Sequence, residues 1–170
     1  RGGHVLDGTG RDGWDADVSL RDGRIVAIGP PGTGAARRTV DARGHVVAPG
    51  LIDIHTHSDF TLPLNPKAES KIRQGVTTEV VGNCGFSVAP ALPGKVDALR
   101  TYLSGSAPWL TFEATDFARY MDTWPDMSVN TVMQVGHNTL RLMAMDMENR
   151  APREAELSHM QEMLTEALEA

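Results

Sequence analysis

The spacing of apolar positions changes character once along this chain. Up to residue 48 the apolar residues come in short runs with no helical period. DADVSLRDGRIVAIG, residues 15–29, holds two strand-like segments, Val18–Leu20 and Ile25–Ile28. Between them lies Arg21-Asp22-Gly23-Arg24, and an Asp-Gly pair favours a tight hairpin turn. PPGTGAARR at 30–38 reads as a loop by its proline and glycine content. TVDARGHVVAPG suggests a further strand pair around Arg43-Gly44. The segment 1–48 is expected to form a small antiparallel sheet.

From Pro49-Gly50 onward, short β-branched runs alternate with helical periods. Leu51–Ile54 reads as a buried strand. NPKAESKIRQG, 65–75, predicts a helix with Asn65 as its cap, Pro66 at its first position and Gly75 at its end. VTTEVVGNCG then predicts a strand ending at Gly82. Val96, Leu99 and Leu103 repeat at helical spacing, and so do Phe117, Tyr120, Met121 and Trp124 behind a Thr115 cap. Residues 128–136 predict a third strand. APREAELSHMQEMLTEALEA, 151–170, predicts an amphipathic helix with Leu157, Met160, Leu164, Ala167 and Leu168 on one face. The order strand, helix, strand, helices, strand, helix is the pattern of βα units around a parallel sheet.

Chemistry-bearing residues cluster just after these strands. GLIDIHTHSD, 50–59, places His55 and His57 two apart, so both share a face if the stretch is extended. Cys84 follows the second strand and His137 the third. In parallel α/β architectures the C-terminal strand ends form the active face. Isolated His-x-His pairs are often hydrogen-bonded strand ends, but three successive strands delivering metal-capable side chains to one edge favour ligation. Zinc takes imidazole and thiolate donors. His55, His57 and Cys84 can meet only if the first two strands are neighbours. Such a centre suits hydrolysis of an amide or cyclic amide, given a general base. Asp59 and Asn83 flank the donors and are expected either to orient them or to cap loops. His137 is a candidate pocket residue, with a structural hydrogen bond as its other reading. Arg141 is a candidate for holding a substrate carboxylate. The methionines of RLMAMDMENR are expected to fill packing gaps.

Composition narrows the classes of partner. The chain has 170 residues, 41% hydrophobic and 22% charged, with net charge -6. That balance argues against a nucleic-acid or anionic-membrane surface. No apolar run approaches the ~18 residues of a membrane span. Cys84 is the single cysteine, which excludes an internal disulfide and fits a reducing, cytoplasmic setting.

GLIDIHTHSD together with QGVTTEVVGNCGFSVAP resembles the amidohydrolase superfamily, and within it the N-acyl-D-amino-acid deacylases, or D-aminoacylases. The His-x-His is shared across the superfamily; SKIRQGVTTEVVGNCG and VGHNTLR are narrower marks. The resemblance implies a (β/α) TIM-like barrel with a small β-sandwich domain and zinc-dependent hydrolysis of an N-acyl-D-amino acid. It implies that His55 and His57 ligate one metal position. Cys84 would ligate the principal zinc, and a second, weaker metal position is compatible with this. A full barrel needs ~250 residues, and about 120 follow residue 48. The expected organisation is therefore part of a sandwich domain at 1–48 and the first three βα units of an incomplete (β/α)8 barrel at 49–170. The general base is then expected beyond Ala170, and the fragment alone is expected to be inactive. The alternatives are a dihydroorotase- or hydantoinase-type enzyme acting on cyclic amides, which has no need for Cys84, a non-catalytic barrel homologue, and a complete, compact metal-binding module.

Overall fold

The structure, a computed structural model, describes every residue except 31, 33 and 34. The loop expected at 30–38 thus lies partly outside the described residues. The chain divides into two compact units, Arg1–Gly50 and Leu51–Ala170.

The first unit contains β1 (Gly3–Val5), β2 (Trp14–Arg21), β3 (Arg24–Gly29) and β4 (Val46–Val47), ordered β3-β2-β1-β4 in one sheet. The β2–β3 hairpin turns at Asp22 and Gly23, both with positive φ (50° and 73°), as an Asp-Gly turn requires. The expected antiparallel sheet needs correction at its other edge. No second strand forms around Val40; instead β4 pairs parallel to β1, a strand absent from the sequence reading. His45 donates its backbone N–H to Ala42, which closes the turn before β4. Val5 and Ala16 are buried, whereas Leu20, Ile25 and Val26 are exposed.

The second unit is built on a parallel sheet of β5 (Leu51–Asp53), β6 (Val76–Val81) and β7 (Asn130–Met133), in that order. Each strand follows its neighbour in sequence, as short βα connections dictate. Helices α1 (Glu69–Ile72), α2 (Val96–Leu103), α3 (Phe117–Asp122), α4 (His137–Met145) and α5 (Glu154–Glu169) connect or follow them. The core gathers Leu99 and Leu103 of α2, Leu140, Leu142 and Met143 of α4, and Met160 and Met163 of α5 around Phe60 and Val88. Met143 and Met145 are buried packing residues, as expected, whereas Met147 of the same stretch is exposed.

Several expectations change. Leu51–Ile54, expected to be a buried strand, is extended only over Leu51–Asp53, and Leu51, Ile52 and Ile54 are exposed at the edge of the sheet. The third strand narrows from 128–136 to Asn130–Met133. The helix predicted over 65–75 shrinks to the single turn α1, because Ala68 takes a left-handed conformation and residues 61–64 form turns. Helix α3 is capped by Asp116, whose carboxylate accepts from the Arg119 backbone N–H at 2.7 Å. Thr115 is drawn away into a backbone pair with Ala91. Helix α4 was not foreseen; it starts at Gly136 with no side-chain cap to announce it. On α5 the buried positions are Met160 and Met163, while Leu157, Leu164 and Leu168 are exposed.

Candidate metal centre

The donors are set by what happens after β5 and β6. The extended stretch stops at Asp53, short of the histidines. His57 has φ −109° and ψ 30° and opens a 3-10 turn at Ser58–Phe60. Strand alternation therefore does not bring the imidazoles together; the turn does, with ring centroids 6.0 Å apart and planes at 67°. His57 also stacks on Phe60 and meets Phe86 edge-on, which restricts its ring.

Cys84 sits in the turn Asn83–Gly85 directly after β6, with φ 57°. That left-handed conformation is uncommon for a residue with a side chain and persists only where the surroundings enforce it. Two glycines enforce it. A Cβ at Gly82 would lie 2.1 Å from the Gln134 carbonyl oxygen, and one at Gly136 would lie 2.3 Å from that of Gly85. The cysteine turn thus presses directly on the backbone that follows β7.

The ligand atoms of His55, His57 and Cys84 all lie within 4.8 Å of one another, and all three residues are exposed. His55 Nε2 is 3.1 Å from Cys84 Sγ. In a tetrahedral zinc site such donors stand ~3.3–3.6 Å apart, so small side-chain rotations suffice. Two imidazoles and a thiol also match zinc chemically. Among the described residues no fourth His, Cys, Asp or Glu joins them.

The other expected residues divide. Asn83 donates to the carbonyls of Val80 (2.8 Å) and Thr56 (3.2 Å), tying the cysteine turn to the histidine segment. Asp59 is 2% exposed, and neither carboxylate oxygen has a hydrogen-bond partner. Burial pushes its pKa up to about 6; the backbone N–H groups of Asp59 and Gly82 oppose this weakly, without reaching hydrogen-bond geometry. His137 begins α4, exposed, and no hydrogen bond or ring contact joins it to the three donors among the described residues. Arg141 donates to the carbonyls of Glu148 (2.9 Å) and Arg150, and so braces the segment after α4.

Sequence reasoning missed a polar group beneath the donors. Lys71 Nζ lies 2.6 Å from Asp53 Oδ2 and 3.3 Å from Glu79 Oε2, and Glu79 is fully buried. Burial pulls the Lys71 pKa down, but the Asp53 and Glu79 carboxylates outweigh it and hold it above the ordinary lysine value. The available signal was a charged residue inside the β-branched run VTTEVV.

Comparison with known proteins establishes the family. The profile described as "Amidohydrolase family" matches residues 38–169. The chain belongs to the amidohydrolase family. Among curated amidohydrolase relatives, N-acyl-D-glutamate deacylase of Alcaligenes xylosoxydans xylosoxydans is 43% identical over 170 residues, covering 99% of this chain and 34% of the relative. A crystal structure of D-aminoacylase, described as defining a novel subset of amidohydrolases, superposes with TM-score 0.84 at 38% identity, over 99% of this chain and 35% of that one. N-acyl-D-glutamate deacylase from Bordetella bronchiseptica, complexed with zinc and a phosphonate mimic of the tetrahedral intermediate, gives 0.79 at 40% identity, again over 99% and 35%. The chain has the α/β fold of D-aminoacylase and spans about a third of the length of these relatives.

Proposed function

We propose that His55, His57 and Cys84 supply donors to the zinc centre of an N-acyl-D-amino-acid deacylase, which hydrolyses a linear amide to a carboxylate and a free D-amino acid. The observation that carries this reading is the seating of the Cys84 thiol against the histidine pair. Cyclic-amide enzymes of the superfamily have no use for that thiol. The relatives support it, since one is an N-acyl-D-glutamate deacylase and another is held with zinc and a tetrahedral mimic.

His55, His57 and Cys84 would hold the zinc, which would supply Lewis-acid chemistry for hydrolysis. The chain's own part is positional. His55 and Cys84 face each other from neighbouring strand ends, and Phe60 and Phe86 restrict the His57 ring. Asn83 holds the two donor segments at fixed separation. We further infer that Leu51–Ala170 forms the opening βα units of a (β/α)8 barrel, and that the first unit belongs to a small β-sandwich. Three parallel strands in consecutive order support this, as does the greater length of the relatives. Among the described residues no helix is long and apolar enough to cross a membrane.

The test is zinc-supplemented hydrolysis of N-acetyl-D-glutamate and N-acetyl-D-methionine against their L enantiomers by the full-length gene product. D-selective release of amino acid is expected. Turnover of cyclic amides alone would overturn the proposal.

A further inference from the structure

Glu79 is the most deeply buried charged residue of the second unit, with no exposed surface. A carboxylate in the middle of a strand is expensive to bury and persists where it is paired and hydrogen-bonded. Its Oε1 has no hydrogen-bond partner, and the partners of Oε2 form a directed chain. Ser58 Oγ donates to Glu79 Oε2 at 2.5 Å. A hydroxyl has one proton, so the 2.6 Å contact between Thr56 Oγ1 and Ser58 Oγ must be donated by Thr56. Thr56 Oγ1 in turn accepts from the Ser58 backbone N–H (3.1 Å) and from Lys71 Nζ (3.4 Å). The three ammonium protons of Lys71 match Asp53, Glu79 and Thr56. Asp53 Oδ1 accepts from the His55 backbone N–H at 3.2 Å.

The hydroxyl relay runs from Thr56 through Ser58 to Glu79, and the Lys71 ammonium joins it to the Asp53 carboxylate. The residues it ties down are 53, 55, 56 and 58, which bracket both imidazoles. None of the network atoms belongs to an imidazole or to the thiol. The local backbone leaves regular strand geometry at Asp53, so ladder hydrogen bonds do not hold His55 and His57 in place. Something else must.

We infer that Glu79 is a positioning residue: acting through Ser58, Thr56 and Lys71, it sets the turn in which His55 and His57 face Cys84. This rests on the metal reading above. Partners one shell removed from a metal commonly change its affinity 10–100-fold when lost.

The experiment is competitive titration of the full-length gene product with Zn(II), and with Co(II) to follow the thiolate-to-metal absorption, alongside thermal unfolding. Glu79→Gln and Ser58→Ala are expected to weaken zinc binding by roughly 10–100-fold while the Cys84 thiolate band persists. Ser58→Thr, which restores the hydroxyl, should recover most of the affinity. Arg150→Ala, which breaks ion pairs with Glu148 and Glu156, should lower Tm without changing affinity. Should Glu79→Gln fail to fold, the Ser58 pair decides, because Ser58 is only half-buried. Variants at 58 and 79 that melt early yet hold zinc as tightly as wild type would show a purely structural role and overturn the inference. A wild-type full-length gene product that holds no zinc, or holds it as well as its Cys84→Ala variant, would remove the metal reading and this inference with it.

Discussion

His55 Nε2 and Cys84 Sγ lie 3.1 Å apart although 29 positions separate them in sequence. They meet because β5 and β6 pair in parallel, so both strands end on the same side of the sheet. Cys84→Ala should therefore abolish most zinc affinity while leaving far-UV circular dichroism unchanged. Cys84→Ser should do little better, since a hydroxyl is a poor zinc ligand at neutral pH. Undiminished zinc binding in either variant would sink the ligand assignment.

The same position trades stability for chemistry. A non-glycine residue at φ 57° costs about 1 kcal/mol or more. Cys84→Gly should raise the metal-free stability by about that amount and lose the metal. Urea denaturation without zinc measures the first effect, and equilibrium dialysis the second.

Gly82 allows the opposite experiment. Its φ of 80° and a would-be Cβ 2.1 Å from the Gln134 carbonyl oxygen leave no room for alanine. Gly82→Ala should cost roughly 3 kcal/mol and displace the cysteine turn. Chemical denaturation together with the alkylation rate of Cys84 would register both changes.

Acid stability should depend on Glu156. Its hydrogen bonds with Arg150, and then with the Arg153 backbone N–H, lower its pKa from 4.5 to about 2. A carboxyl depressed in the folded state contributes stability that is fully present above its ordinary pKa. That contribution is lost as pH falls from about 4.5 through about 2. Glu156→Gln should flatten this part of the stability profile and leave the slope above pH ~6 unchanged.

Leu51, Ile52, Ile54 and Val132 on and beside the parallel sheet are all more than half exposed. Strands β5 and β7 each have one unpaired edge within that sheet. This chain studied alone should associate in a concentration-dependent way. Sedimentation velocity checks this, and Ile52→Lys should reduce it.

The parallel order of β5, β6 and β7 was legible because β-branched runs such as VTTEVV alternate with helical periods. The meeting of His55, His57 and Cys84 was legible because they follow two strands expected to be neighbours. Helix 65–75 was misread because its cap and proline signals were sound, yet the left-handed backbone at Ala68 admits only one turn. Helix α4 escaped because it lacks a capping side chain, so its apolar positions registered as packing alone. Of the group formed by Asp53, Lys71 and Glu79, only the charge inside VTTEVV was visible in the sequence, and its partners were not. The group joins a strand end, a one-turn helix and a neighbouring strand, and only the tertiary fold brings those together.

The Asn83 amide, bridging the Thr56 and Val80 carbonyls, has a bearing on how the molecule comes into being. It links segments that are both complete once residue 84 has been made. Their meeting needs only one short loop closed and one pair of strands zipped. A chain emerging amino-terminus first can thus bring these two segments together before β7 or the last two helices exist. The left-handed Cys84 turn is completed only afterwards, when Gln134 and Gly136 take their places against Gly82 and Gly85.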